Sequence, residues 1–180
     1  MKKVYLDNAS TTAMRPEVIQ VMVDCMAQDY GNPSSTHSLG RHAKSILELS
    51  RKSIAKALNA TAQEILFTSG GTEANNWILR SAVKDLKVRR IISSKMEHHA
   101  VLYPILELQK EFDIQVEYVE NSADGVLDLT HLVDLLSEST EKTLVSLMHV
   151  NNETGVILDL ERVSQICQEH HALFHSDTVQ

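Results

Sequence analysis

Four short stretches hold the side chains best equipped for chemistry. They are Ser69-Gly70-Gly71-Thr72-Glu73, Ser94-Lys95-Met96-Glu97-His98-His99, Asn151-Asn152-Glu153-Thr154-Gly155 and Asp177-Thr178-Val179-Gln180. The glycines of the first permit close backbone approach, and a helix starting there offers unpaired N–H groups and a positive dipole end, which together suit a phosphate. The same residues also read as a plain helix entry capped by Ser or Thr. The stretch lacks the Walker lysine and the GxGxxG spacing, so a nucleotide P-loop is not supported.

In the second stretch, the His98 ring could stack on a planar cofactor or move a proton. Asp177 reads either as a turn aspartate or as a carboxylate that would keep a nearby cationic nitrogen protonated. Asn151 and Asn152 can form a turn, or can orient two amides toward a ligand. The pairs His98-His99 and His170-His171 do not suggest a metal. Adjacent helical residues point about 100° apart, and neither HExxH nor zinc-type spacing occurs. His170-His171 reads as a solvated pair near a helix end. Cys25 and Cys167 fall among apolar helical neighbours and are expected to be buried packing residues.

These stretches need a scaffold that brings them together. Helical patterns run from Glu17 to Gln28 behind Pro16, and from about Ser38 to Leu58 with Leu47, Ile54 and Leu58 on one stripe. Between them Tyr30-Gly31-Asn32-Pro33-Ser34-Ser35 is a dense turn signal. Strands are then expected at Ile65–Thr68, Arg90–Ser93, Gln115–Val119, Thr143–Val150 and Leu173–Ser176. Helices are expected at Glu73–Lys84, Glu97–Glu111, Leu129–Ser137 and Leu160–Glu169. Short apolar strands alternating with helices predict a three-layer α/β/α fold with a mostly parallel sheet. In such sheets ligands bind beyond the carboxyl ends of the strands. All four stretches leave those ends.

The 180 residues carry 24 acidic and 17 basic side chains, a formal net charge of −7. That lacks the basic excess nucleic acid or an acidic membrane would need, and neither is expected as a partner. No apolar run approaches the ~18 residues of a membrane helix. An acidic residue, Asp7, arrives before a signal-peptide core could form, so no targeting segment is expected. Two cysteines without CxxC spacing point to a reducing cytoplasm.

In order, the chain carries Tyr5-Leu6-Asp7-Asn8-Ala9-Ser10-Thr11-Thr12, Gly31-Asn32-Pro33-Ser34-Ser35-Thr36-His37, Phe67-Thr68-Ser69-Gly70-Gly71-Thr72-Glu73-Ala74-Asn75, Glu97-His98-His99-Ala100-Val101, Met148-His149-Val150-Asn151-Asn152-Glu153-Thr154-Gly155 and His175-Ser176-Asp177-Thr178-Val179-Gln180. This ordered set resembles the N-terminal part of the cysteine desulfurases, fold-type I enzymes of the class-V aminotransferase superfamily that use pyridoxal 5′-phosphate. The resemblance implies an aspartate aminotransferase-like large domain over residues 15–180, incomplete in this chain, behind an N-terminal arm over residues 1–14. It implies that Gly71 and Thr72 bind the cofactor phosphate, and that His98 stacks on the ring and assists proton transfer as a catalytic residue. Asn152 would contact the cofactor or the substrate carboxylate. Asp177 would pair with the pyridine nitrogen and Gln180 with the ring oxygen.

The implied reaction takes sulfur from L-cysteine, leaving L-alanine and an enzyme persulfide that serves iron–sulfur clusters or tRNA thiolation. The implied partners are L-cysteine, a sulfur-acceptor scaffold protein and a second copy in a homodimer. The family's cofactor-bearing lysine, in a Ser-x-His-Lys stretch, and its persulfide cysteine have no match in residues 1–180. The rest of the fold is therefore expected on further polypeptide, the fragment alone is expected to be inactive, and Ile65–Thr68 is expected to lack its neighbour in the sheet. Selenocysteine lyase, cysteine sulfinate desulfinase and other class-V aminotransferases are the near alternatives. A truncated, non-catalytic paralogue acting as a binding module is the alternative from another class. A Rossmann-type nucleotide binder lacks its glycine fingerprint.

Overall fold

A computed structural model describes residues 3–180. They divide into two compact units, one running to Phe67 and one spanning Thr68–Gln180.

The first unit holds two helices, α1 (Pro16–Gln28) and α2 (Ser38–Ala57), and a single 3-10 turn at Ala62–Glu64. Pro16 opens α1 with its fixed φ. The His37 ring caps α2 by accepting from the Gly40 amide at 3.3 Å. The Asn32 side chain accepts from Ser34 N at 2.9 Å, an Asx turn that bends the chain back onto α2. A Cβ on Gly40 would lie 2.4 Å from Ser35 O, so only glycine lets that turn close.

Two expectations fail in this unit, for Cys25 and for the strand at Ile65–Thr68. Cys25 is exposed, because α1 buries none of its residues. Leu47 and Ile54 on α2, and Leu58 just past its end, are also exposed, and the helix buries Gly40, Ala43 and Ala55. Small residues there admit close backbone packing, which an apolar periodicity does not signal. Ile65–Thr68 forms no strand. A strand needs a hydrogen-bonding neighbour, and none stands beside it among the described residues. The Ile65 carbonyl instead accepts from the Arg51 guanidinium, which also lies 4.7 Å over the Phe67 ring.

The second unit is built on four parallel strands, β1 (Arg90–Ser93), β2 (Gln115–Tyr118), β3 (Thr143–Ser146) and β4 (Leu173–His175), in the order β2-β1-β3-β4. Helices α3 (Gly71–Lys84), α4 (His99–Phe112), α5 (Leu129–Ser137) and α6 (Leu160–Glu169) alternate with them. Successive strand residues face opposite sides. Ile91 and Leu144 therefore join Leu79, Val83, Val101, Ile105 and Leu108 under α3 and α4. Ile92 and Val145 join Leu132, Leu136, Val163, Ile166 and Cys167 under α5 and α6. That makes the three-layer α/β/α architecture expected of this pattern. Cys167 is buried as anticipated, and burial pushes its thiol up to about 11. His170 ends α6, and His171 follows with a left-handed φ of 55°.

Candidate active site

Parallel strands put all their carboxyl ends on one edge. The segments after β1, β3 and β4, three adjacent strands, therefore leave the same rim. Pairing continues past the assigned strands: Leu147 N donates to His175 O at 3.1 Å, and His149 N donates to Asp177 O at 2.9 Å. The β3 exit and the β4 exit are thus zipped together as far as Asp177.

Asp177 is half-buried. Its Oδ1 accepts from Val179 N at 3.0 Å, and its Oδ2 accepts from the Asn75 side-chain amide at 2.8 Å. Both donors are neutral, so they orient the carboxylate without offsetting its charge. Asn75 sits one turn inside α3, whose first residues are Gly71 and Thr72. First-turn amides have no intrahelical acceptor, and the positive end of the helix lies there. Glu73 folds back to accept from both the amide and the hydroxyl of Ser69 at 2.6 Å each, which lowers its pKa. A Cβ on Gly71 would lie 2.6 Å from Val179 Cγ2. The absent side chain lets the segment after Asp177 lie against the start of α3.

His98 is the N-cap of α4, and its Nδ1 accepts from Ala100 N at 3.1 Å. The neutral ring then carries its proton on Nε2. The exposed His98 stands 6.0 Å from His99, whose ring stacks on Tyr103 at 4.8 Å. α4 starts two residues later than the sequence pattern suggests, which leaves Glu97 in the loop and His98 at its hinge.

The two asparagines after β3 divide their tasks. Asn151 is buried: its Nδ2 donates to Met96 O at 2.9 Å, and its Oδ1 accepts from the Glu153 and Thr154 amides at 3.0 and 2.9 Å. It holds the loop and turns no amide toward a ligand, contrary to one of its two sequence readings. Asn152 is half-exposed, with its amide on Glu153 at 2.9 Å. Gln180 is exposed, three residues beyond Asp177. The rim therefore gathers Gly71, Thr72, His98, Asn152, Asp177 and Gln180 at one end of the second unit.

Three further residues of this rim escape a reading of the sequence. Asn75 occupies a position in the buried stripe of α3 with Leu79, Ala82 and Val83, and a polar residue in an otherwise apolar stripe is the signal that could have marked it. Glu97 is buried and accepts from Met148 N at 2.7 Å, 51 residues away. Burial pushes its carboxyl up to about 8, against the pull of the Met148 amide and with a smaller push from Asp177. His175 lies beneath Asp177, with its Nδ1 2.9 Å from Ser146 Oγ, and burial lowers its pKa. Neither the Glu97 nor the His175 contact has a local signature, because each joins segments far apart in the chain.

Against known families, residues 4–180 match the aminotransferase class-V model. The chain belongs to the class-V aminotransferase family. Among curated members, it is 41% identical over 99% of its length to the cysteine desulfurase IscS of Dictyoglomus turgidum, covering 45% of that protein. Among solved structures of this family, a NifS-like protein superposes with a TM-score of 0.92 at 37% identity, over 99% of this chain and 50% of that one. SspA in complex with cysteine superposes at 0.87 and 29% identity, over 98% of this chain and 50% of that one. The chain spans about half the length of the relatives it matches. Among the described residues, no helix is long and apolar enough to cross a membrane.

Proposed function

We propose that the protein is a cysteine desulfurase and that these residues form much of its pyridoxal 5′-phosphate site. The carrying observation is the Asp177 carboxylate, fixed by Asn75 on the same helix whose first turn holds Gly71 and Thr72. That spacing suits a ligand with an anionic group at one end and a cationic ring nitrogen at the other. The residues fit on chemical grounds too. The helix terminus supplies free amides for a phosphate, and the Asp177 charge is uncompensated by its neutral donors.

On this reading Gly71 and Thr72 hold the phosphate, Asp177 faces the pyridine nitrogen, Gln180 the ring oxygen, and Asn152 the ring or the substrate carboxylate. Pyridoxal phosphate, when bound, supplies an electron sink for charge developing on the substrate carbon. The Asp177 carboxylate keeps the ring nitrogen protonated and so sustains that sink. His98, with its proton on Nε2, gives or takes a proton at the substrate. The net reaction moves one sulfur atom. A cysteine thiolate attacks the sulfur of L-cysteine and a persulfide S–S bond forms as the C–S bond breaks. The carbon takes up a proton to give L-alanine. The attacking thiol and the lysine that carries the cofactor belong, on this reading, to sequence beyond the matched half. The homology to IscS proteins and to a relative solved with cysteine supports this substrate.

The test uses the full-length protein, adding pyridoxal phosphate and L-cysteine while following visible absorption and alanine release. Cofactor absorbance with stoichiometric alanine and persulfide is expected, and Asp177→Asn lowers turnover by about 10²-fold or more. A protein that takes up no cofactor, or that releases no alanine, overturns the reading.

A further inference from the structure

Glu97 is 5% exposed and directly precedes the residue that caps α4. Its Oε1 accepts from Met148 N at 2.7 Å, which ties the loop after β1 to the loop after β3. A second tie runs beside it in the same sense, from Asn151 Nδ2 to Met96 O. Asn151 Oδ1 meanwhile gathers the amides on the far side of Asn152. His98 and Asn152 thus ride on two loops joined by one buried pair of straps. The chain cannot shift Glu97 without moving the His98 cap.

We infer that Glu97 is a positioning residue, whose carboxyl straps the His98 loop to the Asn152 loop and so fixes where His98 stands relative to Asp177. The inference rests on the proposed function only in assigning His98 a chemical task.

The state of the strap follows from its surroundings. Glu97 Oε2 is buried without a hydrogen-bond partner. An ionised carboxylate with an orphan oxygen is costly in such a place, and protonation relieves the cost. Burial and the nearby Asp177 charge act in the same direction, raising the carboxyl to about 8. At neutral pH Glu97 is then mainly the neutral acid. It can join the two loops without placing a second negative charge beside Asp177, and that leaves Asp177 as the anion that a cationic ring nitrogen would meet.

The experiment compares wild type, Glu97→Gln and Glu97→Ala of the full-length protein. Infrared spectra near pH 7 are expected to show a protonated carboxylic acid band that Glu97→Gln lacks. Glu97→Gln keeps an acceptor oxygen without charge and should retain kcat within about twofold. Glu97→Ala should lower kcat by about 10- to 100-fold, with a smaller change in KM, and shift the NMR signals of the His98 ring. If the alanine variant does not fold, Glu97→Asp, too short to reach Met148 N, takes its place. Absence of the acid band, an equal loss in Glu97→Gln, or unchanged kcat and His98 signals in the strap-less variant overturns the proposal. The infrared and NMR readings are taken without cofactor. They therefore decide the strap even if the protein neither binds pyridoxal phosphate nor consumes cysteine.

Discussion

The Asn75 side-chain amide donates to Asp177 Oδ2 at 2.8 Å across 102 residues of sequence. One end of this bond stands on α3, a turn behind Gly71 and Thr72, and the other end stands two residues beyond β4. The helix terminus and the carboxylate are therefore held at a fixed separation by a single buried amide.

Replacing Asn75 by Ala removes a donor to a charged, half-buried acceptor. Hydrogen bonds of that kind contribute roughly 1.5–3 kcal/mol. The expected outcome is a loss of about 2 kcal/mol in urea unfolding with an unchanged m-value. Pyridoxal phosphate affinity should fall about tenfold, measured by fluorescence titration. A variant that loses stability while keeping full cofactor affinity would show that the bond is only a packing contact.

His98 does two jobs that a substitution can separate. Asparagine is a good N-cap, so His98→Asn should keep α4 within ~0.5 kcal/mol of its original stability. The same change removes the imidazole, and turnover should drop about 10²–10⁴-fold. Thermal melting and steady-state alanine release, run on the same preparation, give both numbers.

Glu97 predicts a pH dependence of stability. Its folded pKa of about 8 lies above the ordinary value of 4.5, so between these values the folded state binds a proton that the unfolded state releases. The stabilising contribution is complete below 4.5 and is lost as pH rises through 8. The steepest slope from one such group is about 1.4 kcal/mol per pH unit. His175 acts in the reverse sense, since burial lowers its pKa below 6.5 and acid must charge it at a cost. Urea unfolding between pH 6.5 and 8.5 should therefore fall in wild type and flatten in Glu97→Gln. A parallel slope in both proteins would remove Glu97 as its source.

At the opposite end of β1, Arg90 is 1% exposed and forms an ion pair with Glu117 on β2, while its Nη1 has no partner. Glu117→Ala would leave a buried guanidinium unpaired, at a cost of about 3 kcal/mol or more. Replacing both residues with Leu and Val should recover most of that loss. Denaturant midpoints of the single and double variants test the pair without touching the rim.

The legible part of the fold was the part governed by local period. Leu129–Ser137 and Leu160–Glu169 are helices at the residues their apolar spacing indicates, and β1 is likewise Arg90–Ser93. The strand expected to run to Val150 stops at Ser146, where the chain turns to the Glu97 and Asn151 contacts. Ile65–Thr68 has strand composition but no neighbour, and composition does not encode pairing. Cys25 lies on an apolar face of α1 that stays exposed, because the pattern of a helix says which face is apolar and not what covers it. At the rim, residue types marked His98, Asp177 and the glycine turn. The supports behind them, Asn75, Glu97 and Asn151, act across 51 to 102 residues, so residue type alone does not name their partners.

The bond from His149 N to Asp177 O extends the sheet one step past its assigned edge. Its consequence is a gradient of motion around the rim. The Asp177 backbone moves with the sheet and can open only when β3 and β4 part, so the His149 amide should be among the slowest to exchange with deuterium in the second unit. The exposed Gly155 turn can open by local fluctuation. Adjustment to an incoming molecule then falls to that turn, while Asp177 and the strapped loops beside it serve as the stationary reference.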